Sequence, residues 1–511
     1  MKRITRRGAL LGGAALGTLA ACGQPDAGTS GTPAPVEPPA DPLTTGLPPA
    51  PAGWIDGTDM AARIARGDVT SLEEVNAAIA RAEKVNGEIN AIVTKTYDAA
   101  RAEAGATPAG PFQGVPTFIK DLHDWKGAET WYGSRAFKGH MATADAAFSE
   151  KWRAAGVVVL GKSSSPEMGL MASTEPLVSG ATRNPWDTTR MTGGSSGGAA
   201  ALVAARVVPF AHSSDGGGSI RIPASTCGVF GLKPSRGQLP AMEGGNPPPV
   251  DISVQHASTI SVRDSINLFR AAQVNDGTFA PIPDQVLPVS RRLKIGFTTD
   301  AYAGTPVAPE TRAALQDVAE LCQSLGHEVV PYTPNFSGQE FLDKFLLYWA
   351  AGAAEFAQDA SRYSGKPIGP DIVEPWTLGL AAMFQARQAE MEDTIGWLRN
   401  FQSVYEAGLA GLDVLLTPVT GSPAALIGDH APTVEYETLM QRVVTFAAFT
   451  APMNVAGAAS MSVPLNWTAG GLPVGAMFSG KQGDDQLLFE LALELEQVRP
   501  WAGRLPPVCA F

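Results

Sequence analysis

The stretch "HSSDGGGSIRIPAS", His212 to Ser225, decides how this chain is read. Three glycines run into one serine, and an arginine and a proline follow at once. Attack on a carbonyl needs backbone N–H groups aimed at the oxyanion that forms. Side chains obstruct such a turn, whereas glycine leaves it open and tolerates positive φ. Gly216, Gly217 and Gly218 therefore suit a loop whose amides converge beside the Ser219 hydroxyl. By themselves the same glycines also describe a surface turn.

The neighbouring segments read as alternating strand and helix. "VVPFAHSSD" is a short strand leading into the glycines, and "GGSSGGAAALVAAR" is a glycine turn that becomes an Ala-rich helix. "GVPTFIKDL" alternates like a strand and ends at Lys120-Asp121, and "FSEKWRAAGVVVLGK" is a helix followed by a buried strand. "TSLEEVNAAIARAEKVNG" carries Thr70 and Glu73 at capping-box spacing, with Gly87 as the stop. Further on, "RRLKIGFTTD", "PETRAALQDVAELCQSLG" and "HEVVPY" repeat strand, helix, strand, and residues 340–410 are mostly helical. The alternation predicts an α/β fold with helices on both faces of a sheet.

Composition agrees with a large packed protein. The chain has 511 residues, 44% of them hydrophobic and 17% charged, with 55 Gly and 41 Pro, which favours tight turns and buried strands over coiled coil or disorder. The net charge is −12. No basic run occurs beyond the first seven residues, which argues against nucleic acid as a partner.

The first 22 residues stand apart. Lys2, Arg3, Arg6 and Arg7 precede an apolar run, Gly8 to Ala21, that falls short of the roughly 20 residues of a membrane span. Arg6-Arg7 reads as a twin-arginine export signal. "LAAC" resembles a bacterial lipobox ending at Cys22, the site of lipid attachment. Residues 23–53 are rich in Pro, Gly, Thr and Ala and read as a disordered tether. Residues 54–511 form the folded domain. Membrane association is expected only through the lipid at Cys22, in a periplasmic or cell-envelope lipoprotein. Cys227, Cys322 and Cys509 make no disulfide framework, and no CxxC or HExxH suggests a metal. No cofactor is expected.

A serine hydroxyl needs a base. The histidines are His123, His140, His212, His256, His327 and His430. No GxSxG elbow surrounds any serine. The other helper is Lys120, which must be neutral to act. Neutrality at pH 7 costs about 4.6 kcal/mol in water, and burial among apolar groups shifts a lysine by that much. Ser195 or Ser196, bracketed by Gly193, Gly194, Gly197 and Gly198, is placed to pass a proton between Lys120 and Ser219. The loop is not a P-loop, because no Lys-Ser/Thr follows its glycines.

Several separated motifs, in order, resemble the amidase signature family. They are "GVPTFIKDL", "LGKSSSPEMG", "GATRNPW", "GGSSGGAAALVAA", "DGGGSIRIPASTCGVFGLKPSRG", "LDVLLTPV" and "FTAPMNVAGAASMSVPLNWTAGGLPVG", and the resemblance runs from Trp54 to Leu505. Within the family the chain is most similar to the 6-aminohexanoate-cyclic-dimer hydrolase type. The resemblance implies a central twisted mixed β-sheet covered on both faces by helices, and hydrolysis of a small amide by a Ser–cis-Ser–Lys triad. By motif, Ser219 is the nucleophile, Ser195 the bridging serine on a cis peptide, and Lys120 the base. The amides of Gly216, Gly217, Gly218 and Ser219 would form the oxyanion hole. Ser196, Asp215 and Arg221 would support the loops. Met168, Gly169, Leu170, Met171 and Trp349 would line the substrate pocket, with Tyr348 and Trp376 nearby.

Departures from the family pattern are Ala199 after GGSSGG, Gly216 in place of a larger residue, and the proline-rich "LPAMEGGNPPPV". Other uses of the same scaffold are a glutaminase-type transamidation subunit, a fatty-amide or ester hydrolase, and a non-enzymatic binding lipoprotein. The last would lack Lys120, Ser195 or Ser219, and all three are present. The chain is expected to be a monomer or a homodimer.

Overall fold

A computed structural model of the chain describes residues 55–106, 109–242 and 248–511. The segments expected to be an export signal, a lipobox with Cys22 and a tether, and residues 243–247 of the proline-rich segment, lie outside the described residues. Among those described, no helix is long and apolar enough to cross a membrane.

Thirteen strands are described, β1 (Ile92–Lys95), β2 (Pro116–Lys120), β3 (Val158–Ser163), β4 (Arg183–Asn184), β5 (Asp187–Met191), β6 (Phe210–Asp215), β7 (Phe230–Lys233), β8 (Val254–Thr259), β9 (Lys294–Phe297), β10 (Glu328–Pro331), β11 (Val414–Pro418), β12 (Ser460–Trp467) and β13 (Pro473–Ser479). Eight of them form a mixed sheet in the order β10-β9-β11-β13-β12-β7-β8-β6. β9 pairs in parallel with β10 and β11, and the remaining neighbours are antiparallel. A three-stranded sheet, β1-β3-β2, runs beside the β6 edge, where the Thr117 hydroxyl donates to the Phe210 carbonyl at 2.9 Å. Helices cover the large sheet, as expected for the fold class.

The strand and helix read at Lys120 and GGSSGG are present, and both are more completely buried than their patterns show. "PTFIK" alternates on paper, yet all five residues of β2 are buried, because both faces of the strand are covered. The Ala-rich helix Gly197–Ala204 is buried all round, so its apolar composition shows no amphipathic period. The helix opened by Thr70 has the expected capping box, but it runs through Gly87 to Ile89 and ends on Asn90 in the left-handed conformation. An interior glycine weakens a helix by only about 1 kcal/mol, which packing of Val85 and Ile89 offsets. Residues 340–410 are helical as read, in Gly338–Ser364, Pro375–Arg387 and Met391–Gly408. Cys227, Cys322 and Cys509 are free thiols.

Candidate active site

Lys120 closes β2, and its side chain lies between β6 and the GGSSGG turn. Its Nζ is 2.8 Å from Ser195 Oγ, 3.0 Å from Ser214 Oγ and 3.3 Å from the Ser214 carbonyl. A neutral amine has two N–H groups and one lone pair. Two N–H donors match Ser214, and the lone pair is left for the Ser195 hydroxyl. Burial pulls the amine down to about 7, with the Asp215 charge opposing the shift. The Gly194–Ser195 peptide is cis.

The two loops meet at Ser196. Its N–H donates to the Ser219 carbonyl at 3.3 Å, its hydroxyl donates to the Ser214 carbonyl at 3.2 Å, and it accepts from the Ser214 N–H at 3.3 Å. Exposure falls from 8% at Ser219 to 2% at Ser195 and 0% at Lys120. Ser219 is thus the hydroxyl nearest solvent, and the amine is the most deeply enclosed group.

The histidines serve elsewhere. His212 Nδ1 accepts the Lys120 backbone N–H at 3.3 Å, so its Nε2 carries the proton and faces Gln255 Oε1 at 3.2 Å. His123 packs edge-on against His212 at 4.5 Å. Burial holds both well below the usual imidazole range. Among the described residues no histidine hydrogen-bonds Ser195 or Ser219, and no group of three or more His, Cys, Asp or Glu side chains could hold a metal.

The glycine loop needs one correction. Four amides were expected at the oxyanion, but the Gly218 N–H donates to Asp215 Oδ1 at 2.7 Å and is committed there. Among the described residues, the N–H groups of Gly216, Gly217 and Ser219 have no acceptor. Gly218 has φ +133, and a Cβ there would press on Thr450 Oγ1 and come within 2.8 Å of Ile222 Cδ1. Only glycine fits.

Asp215 and Arg221 hold this loop from beneath. Arg221 Nε and one terminal nitrogen reach the two carboxylate oxygens, both at 3.0 Å. Asn454 Nδ2 donates to Asp215 Oδ1 at 2.8 Å, and Arg221 donates to Asn454 Oδ1 at 2.6 Å. Burial pushes the Asp215 carboxyl up, but the charge and hydrogen bonds of Arg221, with Lys233 and Asn454, win and hold it well below the usual range.

The pocket residues divide. Trp349 and Phe345 lie over the glycines, so that a Cβ at Gly216 would sit 3.3 Å from the Trp349 ring and one at Gly217 3.1 Å from the Phe345 ring. Gly169 reaches Ser195, and Leu170 offers its carbonyl to the Trp349 indole at 3.3 Å and the Trp376 indole at 3.1 Å. Met171 is buried, while Met168 is 41% exposed. Tyr348 hydrogen-bonds both backbone groups of Val250 in the proline-rich segment. Two surface cavities, of about 450 and 260 Å³, are lined by none of Lys120, Ser195 or Ser219.

Sequence reading missed Ser214, Thr450 and Asn454. Ser214 had a signal, because strand period two puts it on the same face as His212, toward Lys120. Thr450 and Asn454 lie more than 200 residues from Gly217 and Asp215, which they hydrogen-bond, and although both fall in the "FTAPMN" motif nothing local marks that contact.

The family model for Amidase matches residues 73–489. The chain belongs to the amidase signature family. It is a hydrolase acting on amide bonds, like the other members it resembles. A Mycobacterium tuberculosis protein named "Putative amidase AmiC" is 38% identical over 454 residues, covering 88% of this chain and 96% of that protein. The 6-aminohexanoate-cyclic-dimer hydrolase of a Pseudomonas species is 33% identical over 483 residues, covering 89% and 96%. A solved structure of 6-aminohexanoate cyclic dimer hydrolase superposes with a TM-score of 0.80 at 31% identity, covering 89% of this chain and 99% of that one.

Proposed function

We propose that this amidase works through an acyl-enzyme on Ser219, with neutral Lys120 as base and Ser195 as the bridge. Lys120 Nζ takes the Ser195 proton while Ser195 takes that of Ser219, and the Ser219 oxygen bonds to the amide carbonyl carbon. The N–H groups of Gly216, Gly217 and Ser219 receive the oxyanion. As the tetrahedral adduct collapses, the proton returns through Ser195 to the leaving nitrogen, and the C–N bond breaks. Water, deprotonated along the same route, then releases the acid and frees Ser219.

What supports this reading is the 2.8 Å contact between Lys120 Nζ and Ser195 Oγ in a buried site where burial brings the amine to about 7. A lysine held at its ordinary value would stay charged at neutral pH and could not accept the proton.

The substrate class we propose is a linear or cyclic amide with an apolar acyl portion, which would lie against Trp349 and Leu170. The relatives named for cyclic-dimer hydrolysis support the class, and the aromatic cover over the glycines supports the apolar character. The test is a panel of linear, cyclic and aryl amides with matched esters, run on the wild type and Ser219→Ala. Amide turnover that disappears in the variant is expected. Turnover confined to esters would contradict the reading.

Export and lipidation of Cys22 complete the proposal, on the strength of Arg6-Arg7 and "LAAC". Metabolic labelling with a radiolabelled fatty acid should mark the wild type and not Cys22→Ala. Equal labelling of both would remove the anchor.

A further inference from the structure

The turn Glu167–Leu170 connects two parts of the molecule that the chemistry above treats separately. On one side it touches the bridging serine. Gly169 has φ +71, and a Cβ there would lie 3.0 Å from Ser195 Oγ and 2.8 Å from Leu122 Cδ1. The backbone of this turn therefore packs directly on the Ser195 side chain. Met168, immediately before it, is also left-handed, at φ 48. Two successive residues in that conformation are held there only by what surrounds them.

On the other side the turn is tied to the helices of residues 338–387. Glu167 is 1% exposed. Its Oε2 accepts the Glu374 N–H at 2.8 Å and the Thr377 hydroxyl at 2.7 Å, and its Oε1 accepts the Ser134 hydroxyl at 2.7 Å. Glu374 is the N-cap of the Pro375–Arg387 helix, so the carboxylate sits where that helix presents unsatisfied N–H groups. Three residues on, the Leu170 carbonyl accepts the Trp376 indole of the same helix and the Trp349 indole of the Gly338–Ser364 helix. Both ends of the turn are thus fixed by the helical layer, and its middle leans on Ser195.

We propose that Glu167 is a positioning residue for amide hydrolysis: by tying the Pro375–Arg387 helix to the turn bearing Gly169, it sets where the Ser195 hydroxyl sits between Lys120 and Ser219. It touches no reacting atom. Its effect is on the geometry of proton transfer, which tolerates little displacement. The inference rests on the Ser219–Ser195–Lys120 reading above.

The test uses a fluorophosphonate that phosphonylates Ser219, with the saturating rate kinact and the half-saturation constant KI measured separately. Glu167→Ala removes the tie. Glu167→Gln keeps it, because the amide oxygen can accept from Glu374 and Thr377 while its NH2 donates to a turned Ser134 hydroxyl. The expected result is a fall in kinact of about tenfold or more in Glu167→Ala with KI within roughly twofold, and near-wild-type kinact in Glu167→Gln. A folded Glu167→Ala with unchanged kinact, or one altered only in KI, would overturn the proposal. If Glu167→Ala does not fold, the Thr377→Val/Trp376→Phe double variant decides. It removes the hydroxyl donor to Glu167 and the indole donor to the Leu170 carbonyl, both links between that helix and the turn, so a severalfold drop in kinact supports the proposal and an unchanged kinact overturns it. Absence of Ser219 labelling in the wild type would instead defeat the underlying triad.

Discussion

Lys120 Nζ and Ser195 Oγ stand 2.8 Å apart, with 0% and 2% exposure respectively. At that separation no water fits between them, so any proton that passes does so directly. The amine's other two partners, the carbonyl and hydroxyl oxygens of Ser214, accept its two N–H groups. The arrangement is complete for a neutral lysine and leaves no carboxylate in contact to hold a charge on it. The nearest compensating charge, Asp215, is already bound to Arg221.

A buried amine brought to about 7 makes folding depend on pH. Its unfolded value is 10.5, so between about 7 and 10.5 the unfolded chain binds more protons than the folded one, and stability rises with pH across that window. Lys120→Met removes the effect. The gain of Lys120→Met over the wild type in urea unfolding should be largest at pH 7 and below, and should shrink by a few kcal/mol toward pH 10. A difference that does not vary with pH would mean that Lys120 keeps an ordinary pKa.

Ser195→Ala deletes the bridge and leaves the Lys120–Ser214 contacts in place. Acylation should slow by about 10²–10⁴-fold, the range for a lost proton-transfer group, with little change in the thermal unfolding midpoint. Pre-steady-state measurement of the acyl-enzyme burst reads this directly. A burst of wild-type rate would show that Ser219 is deprotonated by another route.

The glycines are not equivalent. Gly218→Ala forces a Cβ onto Thr450 at a φ of +133 and should abolish activity. Gly216→Ala meets Trp349 at 3.3 Å and Ser253 Oγ at 3.1 Å, contacts that a small side-chain shift relieves. It should retain most of kcat and raise KM where the acyl group lies against the indole. Equal loss in both variants would contradict this division of roles.

Asp215→Asn breaks a fully buried pair and leaves Arg221 charged without its partner. A loss of about 3–5 kcal/mol in unfolding free energy is expected. Asp215 is held low in the folded state, so its contribution is present above the unfolded value of 3.8 and is lost as pH falls through the folded one. The gap between wild type and variant should therefore be flat from pH 5 to 8 and close only in strong acid.

Much of the site's arrangement could be read from local sequence because the groups proposed to react sit in short motifs. Lys120 ends a strand, Ser195 lies between glycine pairs, and Ser219 follows three glycines. The fold class followed from the alternation of strands and helices. What escaped was side-chain contact, some of it local and some of it long range in sequence. Gly218's amide looks free in "DGGGS", yet Asp215 folds back to take it. Thr450 and Asn454 support the loop from the far end of the chain, and Glu167 acts through a helix 207 residues away. The β2 strand and the Ala-rich helix were read as such from sequence, and what their patterns did not mark is complete burial, because a strand or helix covered on all sides has no polar face.

The most direct test of the central claim is the pH dependence of Ser219 phosphonylation, followed by intact mass and peptide mapping. In the wild type the adduct should map to Ser219, with a rate that rises through a midpoint near 7 as Lys120 loses its proton. In Lys120→Ala the rate should be low and without that midpoint. A rate that is flat with pH in the wild type, or one that keeps its magnitude and midpoint in Lys120→Ala, would contradict it.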